Sequence, residues 1–143
     1  MSRVLVVANE TVAASELLAE LRRIEDEKTS VYRVVAPALA QNHGMGAWNQ
    51  EGAIDAARTR LAHALKVLRE EGLEADGDVG DMVPLSAIRD ALIDFPADLI
   101  VISTHPASRS GWLKRDVVEQ CRKRFKVPVK HVVSHVPEHS ATA

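Results

Sequence analysis

Short apolar runs alternate with longer amphipathic segments along the whole chain. Arg3 to Ala8 (RVLVVA) and Val31 to Ala36 (VYRVVA) are nearly continuous β-branched runs, a pattern typical of strands buried on both faces. Leu99 to Ser103 (LIVIS) is the strongest strand of this kind, and Val129 to Val133, which follows Pro128, is predicted as the last strand. Glu74 to Val79 is a weaker fifth strand, because its two aspartates and its glycine disfavour strand structure. An edge position in the sheet is therefore predicted for it.

The segments between these runs have apolar residues at every third or fourth position, which is the spacing of one face of a helix. They predict four helices, starting near Thr11, over Glu51 to Glu71, over Leu85 to Phe95 and over Val117 to Phe125. Gly72 fits the position just past the second helix, and Pro84 fits the first turn of the third.

This alternation of strands and helices predicts a parallel sheet with right-handed crossovers and helices on both faces, an α/β fold. In such sheets, ligands bind beyond the carboxyl ends of the strands, at the point where the strand order reverses. The crevice predicted there is lined by Asn9 to Thr11, Ala36 to Pro37 and Ser103 to Asp116.

Composition limits the class of protein. The chain has 143 residues, of which 46% are hydrophobic and 27% charged, as expected for one globular domain. A net charge of −2 argues against general affinity for nucleic acid or an anionic membrane. Without an apolar run of about 18 residues or a basic leader, a cytoplasmic protein is expected.

The lone Cys121 has no internal disulfide partner, and its place on the inward helix stripe predicts a small buried hydrophobe. Basic residues crowd the segment from Lys114 to Lys130, which we interpret as a solvated helix face.

Several stretches resemble the universal stress protein domain. They are the opening VLVVAN, the segment GDMVPLSAIRDAL, FPADLIVIS, and KVPVKHVV near the end, in this order from about Arg3 to Val133. The resemblance implies a Rossmann-like three-layer sandwich with a five-stranded parallel sheet of order 3-2-1-4-5, over residues 1–136, followed by a tail at 137–143. It also implies a homodimer through the last strand, Val129 to Val133, which is apolar and would be left exposed in a monomer.

Members of that family that bind ATP typically carry Gly-x-x-Gly, nine residues, then Gly followed by Ser or Thr, after the fourth strand. Here those positions correspond to Ser103, Pro106, Arg115 and Asp116, so every glycine is replaced. Pro106 lacks an amide donor, and Asp116 places an anion near phosphate oxygens. No cofactor is therefore expected, although ATP or another adenine nucleotide stays open as the alternative.

Asn9 takes the place of an aspartate that commonly helps to hold the nucleotide in binding members. It could contact a ribose or adenine edge, or it could cap the following helix, as Thr11 could also do. Arg109, Lys114 and Arg115 could rebuild an anion site from side chains, or they could be solvated loop charges. The candidate ligand-contacting residues are Asn9, Thr11, Pro37, Ser103, His105, Arg109, Lys114 and Arg115.

Catalytic and metal sites are not predicted. His105 with Ser108 or Ser110 lacks the G-x-S-x-G context of a nucleophile turn. His131, His135 and His139 would align only on a helix, and the first of them falls in a predicted strand.

The sequence favours a non-catalytic stress-response or regulatory module that acts through a protein partner or a small ligand. The alternative is an ATP-binding protein with slow hydrolysis that uses the basic loop side chains.

Overall fold

The computed structural model describes residues 2–7, 15–37, 50–80, 83–104 and 115–133. Helices and strands alternate strictly through these ranges. Their bounds are β1 (Ser2–Val7), α1 (Ser15–Glu27), β2 (Ser30–Pro37), α2 (Gln50–Glu70), β3 (Glu74–Gly80), α3 (Pro84–Asp94), β4 (Leu99–Thr104), α4 (Arg115–Arg124) and β5 (Val129–Val133).

The strands form a parallel sheet of order β3-β2-β1-β4-β5. This confirms the predicted α/β fold and its strand order. β3, whose composition is the least suited to a strand, lies at the edge, as predicted. β1 lies in the centre between β2 and β4, so a strand with apolar residues in succession occupies the most enclosed position.

The core has two layers, one on each face of the sheet. Val4 and Val6 of β1 pack with Leu17 and Leu21 of α1 and with apolar residues of α2. Leu5 and Val7, which alternate with them, pack on the other face with residues of α3 and α4. All four β1 side chains have no exposed surface. Each buried Val or Leu contributes about 1.5–3 kcal/mol relative to exposure, so β1 stabilises both layers.

Helix ends follow the signals in the sequence. Gly72 adopts φ +85° just beyond α2, and its N–H donates to the Arg69 carbonyl at 3.0 Å. The N–H of Leu73 donates to the Leu68 carbonyl at 3.1 Å, which completes a Schellman cap. Pro84 is the first residue of α3, as predicted.

The Glu25 side chain joins α1 to the start of β2. The buried Tyr32 hydroxyl donates to Glu25 Oε1 at 2.9 Å. The same oxygen accepts the Ser30 N–H at 3.1 Å. One carboxylate therefore satisfies two donors of β2 and holds the last turns of α1 against the sheet.

The strand bounds differ slightly from the predictions. A proline cannot continue a central ladder, which predicts an end of β2 at Ala36, yet the strand runs through Pro37, which lies opposite Gly80 of β3. The N–H that Pro37 lacks falls on the last residue of β2. The predicted start of the first helix near Thr11 lies outside the described residues.

Candidate functional site

The strand order reverses at β1, with β2 and β3 on one side of it and β4 and β5 on the other. Val7, the last described residue of β1, pairs with Val35 on one side and with Ile102 on the other. Beyond that level, β2 pairs outward with β3 through Ala36 and Pro37, and β4 pairs outward with β5. In parallel sheets the crevice that binds ligands lies at such an order reversal, beyond the carboxyl ends of the strands.

Ser103 and Pro37 lie on β4 and β2, the two strands that flank β1. Ser103, near the end of β4, is fully buried. Val101, two residues earlier, packs in the α1–α2 layer, so strand alternation places Ser103 on the same face. Pro37 is also buried. The structure thus brings two of the predicted site residues to the same edge of the sheet, as parts of its packed wall.

Arg60 is a residue of this edge that the sequence pattern does not reveal. It lies on α2, and its Nη2 donates to the Pro37 carbonyl at 3.4 Å. Arg60 lies three residues after Ala57 and four before Ala64, so it lies at the side of the buried face of α2. Long helical side chains point back towards the helix N-terminus, so a mid-helix arginine reaches the end of β2. The helical spacing predicts that Arg60 is partly buried, but it does not predict the contact with Pro37.

Because α4 lies between the parallel strands β4 and β5 and returns the chain to the amino end of the sheet, its first turn lies towards the carboxyl edge. Arg115 is its first residue and Asp116 its second. Amide groups in the first turn of a helix lack intrahelical partners and attract anions. The basic residues in the last turn of α4, Arg122, Lys123 and Arg124, lie at the opposite end of the helix. The remaining predicted contacts lie outside the described residues: Asn9, Thr11, His105, Arg109 and Lys114.

The described residues contain no arrangement for metal binding, since no group of three or more His, Cys, Asp or Glu side chains converges. His131 lies in β5, so a helical row with His135 and His139 cannot begin there. Burial, and then the charge of Arg122, lowers the pKa of His131.

Cys121 is fully buried, as predicted, and burial raises its thiol pKa to about 11, which leaves it protonated and unreactive at neutral pH.

A second concave surface lies between β3 and α3 and reaches Gly80, which pairs with Pro37. It is a groove of about 300 Å³ with a floor that includes Val35, Ala87 and Ala91. Carboxylates of Asp78, Asp90 and Asp94 line its sides.

Arg33 forms one wall of this groove. Its Nε lies 2.6 Å from Asp76 Oδ1, and its guanidinium carbon lies 5.0 Å from the centroid of the Phe95 ring. The ion pair and the cation–π contact hold the arginine in place, so it joins β2 to β3 and to the end of α3.

Comparison with solved structures identifies the architecture. A universal stress protein from Archaeoglobus fulgidus superposes with a TM-score of 0.64 at 20% identity, covering 92% of this chain and 98% of that one. A member of the same family from Burkholderia pseudomallei gives a TM-score of 0.60 at 20% identity, covering 93% and 96%. The chain has the universal stress protein fold. No protein-family model and no curated protein sequence matches it.

Two similar universal stress protein structures hold adenine nucleotides. One, from Archaeoglobus fulgidus, is a complex with dAMP, with a TM-score of 0.56 at 18% identity over 92% of this chain and 97% of that one. The other is a complex with cAMP, with a TM-score of 0.54 at 17% identity over 93% and 97%. None of the helices in the described ranges is long and apolar enough to cross a membrane.

Proposed function

We propose that this chain is a universal stress protein-like regulatory module of the cytoplasm, without catalytic activity, which binds ATP weakly or not at all. The proposal rests on the residues that the chain places at the end of β4 and at the start of α4. Ser103 is buried in the wall at the end of β4, and α4 begins with Arg115 and Asp116. In the family that the sequence resembles, ATP-binding members carry a glycine and a Gly-Ser pair at these positions.

Each replacement weakens phosphate binding for a physical reason. A glycine lets the backbone approach the phosphates closely, and an arginine at position 115 does not offer that access. An aspartate at position 116 adds a negative charge, which repels phosphate oxygens, at the end of the helix that would otherwise attract them. We expect a dissociation constant above roughly 100 μM, or a binding free energy weaker than about −5.5 kcal/mol.

Calorimetry with ATP and magnesium tests the proposal. A matched gain-of-function variant, Arg115→Gly with Asp116→Ser, restores the Gly-Ser pair and should bind ATP at least tenfold more tightly than the unaltered protein. Circular dichroism confirms that both proteins are folded. Equal, weak binding by both would show that these two positions do not explain the low affinity.

A second function is favoured by the dAMP and cAMP complexes of similar structures. It is adenine nucleotide binding, with slow ATP hydrolysis, through Arg109, Lys114 and Arg115 in place of the glycine cradle. A micromolar dissociation constant for ATP, AMP or cAMP that Arg115→Ala abolishes would establish this function and refute the first. The crevice would then take its anion affinity from side chains, with Arg60 as a further cation beside Pro37.

The homodimer through β5 also stays a prediction. The strand lies at the edge of the sheet, and Val133 is 44% exposed. Pairing of β5 with its copy would cover this edge.

A further inference from the structure

A histidine lies at the middle of the edge strand through which the homodimer is predicted. β5 runs from Val129 to Val133, and His131 is its central residue. The strand ends the strand order next to β4, where His131 pairs with Ile102. In the described part of the chain, the other side of β5 has no neighbouring strand. An edge strand of this kind is a template for pairing with another chain.

His131 lies on the face of the sheet that α4 covers. Val132 packs in the core layer of α1 and α2, and Val129 packs in the layer of α3 and α4, so strand alternation places His131 with Val129. Arg122 of α4 reaches the same place, because its Nη2 donates to the Val129 carbonyl at 3.4 Å. Cys121 packs in this layer as an uncharged thiol, with its pKa raised by burial to about 11. The imidazole itself is half-buried, so part of its surface stays open to a second chain.

The described charges around His131 come from α4, from α1 and from β5 itself. The elements packed most closely against β5 are β4, α1 and α4, and β4 contains no charged residue. On α4, Arg122 Nη1 lies 3.4 Å from Glu119 Oε2. On the opposite face of the sheet, Glu20 Oε2 of α1 lies 3.9 Å from Lys130 Nζ. Each of these two carboxylates already has a cation beside it, so a proton on His131 adds a positive charge next to Arg122.

Pairing of β5 with its copy brings two such histidines together. Two copies of one edge strand can pair in the antiparallel direction about a twofold axis. The register that pairs all five residues of β5 places Val129 opposite Val133, and His131 opposite its own copy. Residues directly opposite have Cβ atoms about 4.5–5.5 Å apart, and like charges there are destabilising. The contact also covers the open part of each imidazole, and burial disfavours the charged form of histidine.

We propose that pH controls the homodimer, because neutral His131 permits β5 to pair with its copy and protonated His131 separates the two chains. The inference rests on the predicted homodimer and does not depend on any ligand in the crevice. Monomers bind protons more readily than a dimer that holds its histidines neutral, so a fall in pH shifts the equilibrium towards monomers. Burial and Arg122 already lower the pKa of His131 within one chain, so the change is expected below the ordinary histidine value of about 6.5.

Sedimentation velocity over a range of protein concentrations, at steps from about pH 8 to about pH 5, tests the proposal. At about pH 8 we expect a dimer of twice the 15.6 kDa mass of the chain. At about pH 5 the dissociation constant should be at least tenfold higher, because each histidine that has to lose its proton weakens association about tenfold per pH unit below its pKa. Circular dichroism at the same steps should show that dissociation precedes any loss of helical signal.

Two substitutions of His131 make the test specific. His131→Gln removes the titrating group, so its dimer should have the same dissociation constant at both ends of this pH range. His131→Lys keeps a positive charge throughout, so it should be a folded monomer at about pH 8. His63→Gln is the matched control, since His63 is exposed on α2, and it should respond to pH like the unaltered protein.

Several outcomes would overturn the inference and leave the homodimer standing. They are a dissociation constant that does not change with pH, a pH response that survives in His131→Gln, a His131→Lys variant that still dimerises, and dissociation that occurs only together with unfolding. A folded monomer at about pH 8 would overturn the homodimer and this inference together. The proposed weak binding of ATP is measured separately by calorimetry and would stand in either case.

Discussion

Substitution of Gly77 is expected to destabilise the fold for a single steric reason. It lies in the middle of β3, opposite Val34 of β2. The Cβ of an alanine there would lie 2.3 Å from the Val34 carbonyl oxygen and 2.8 Å from Leu61 Cδ1. An ordinary carbon–oxygen contact is about 3.3 Å, so a shift of roughly 1 Å is needed. The leucine end can rotate, but the carbonyl is fixed within the sheet, so β3 has to move away from β2.

We expect Gly77→Ala to lower the free energy of unfolding by about 2–4 kcal/mol. Overpacking costs about 1–3 kcal/mol, and each weakened ladder hydrogen bond adds about 0.5–1.5 kcal/mol. Unfolding entropy of about 2.1 cal/mol/K per residue gives about 0.3 kcal/mol/K for 143 residues. A loss of about 3 kcal/mol should therefore lower the Tm by about 10 °C.

Thermal and urea unfolding followed by circular dichroism measure this loss. Gly72→Ala is the matched control, since it places the same methyl group where nothing lies within 4 Å, but at φ +85°. Its cost is conformational, about 1–2 kcal/mol, and Gly72→Asn should recover part of it because asparagine tolerates this conformation. A Gly77→Ala variant that is as stable as Gly72→Ala would refute the steric argument.

Three further predictions use single side chains. Tyr32→Phe removes a buried hydroxyl that donates to Glu25, and it should cost about 1.5–3 kcal/mol in urea unfolding; an unchanged midpoint would contradict this. Because burial raises the pKa of Cys121 to about 11, its thiol should react with a disulfide reagent at pH 8 only after unfolding, and rapid labelling of the native protein would contradict this. Burial and Arg122 lower the pKa of His131 below its ordinary value of 6.5, so the unfolded chain binds the proton more readily and stability should fall as the pH drops through about 6.5. His131→Gln should reduce this pH dependence, and an NMR titration of His131 at or above 6.5 would exclude burial and Arg122 as its cause.

The candidate site could be predicted from the sequence only in outline. The element order located the crevice, and Ser103 and Pro37 do lie at the carboxyl edge of the sheet. That both are buried was not predictable, because burial there depends on which strands flank each residue. Arg60 was missed because its contact with Pro37 joins two elements separated along the chain. The roles of Asn9, Thr11, His105, Arg109 and Lys114 stay predictions.

The sequence by itself determined the elements of the fold. β-branched runs specify strands buried on both faces, helical spacing specifies amphipathic helices, and Gly72 and Pro84 mark helix ends, because each of these signals acts within a few residues. Their alternation, with right-handed crossovers, limits the sheet to few strand orders. The tertiary structure decided what depends on residues far apart in sequence. The close approach of Gly77 to Val34 and the groove walled by Arg33 arise only when distant strands and helices are brought side by side. Packing sets those distances, and no local pattern records them.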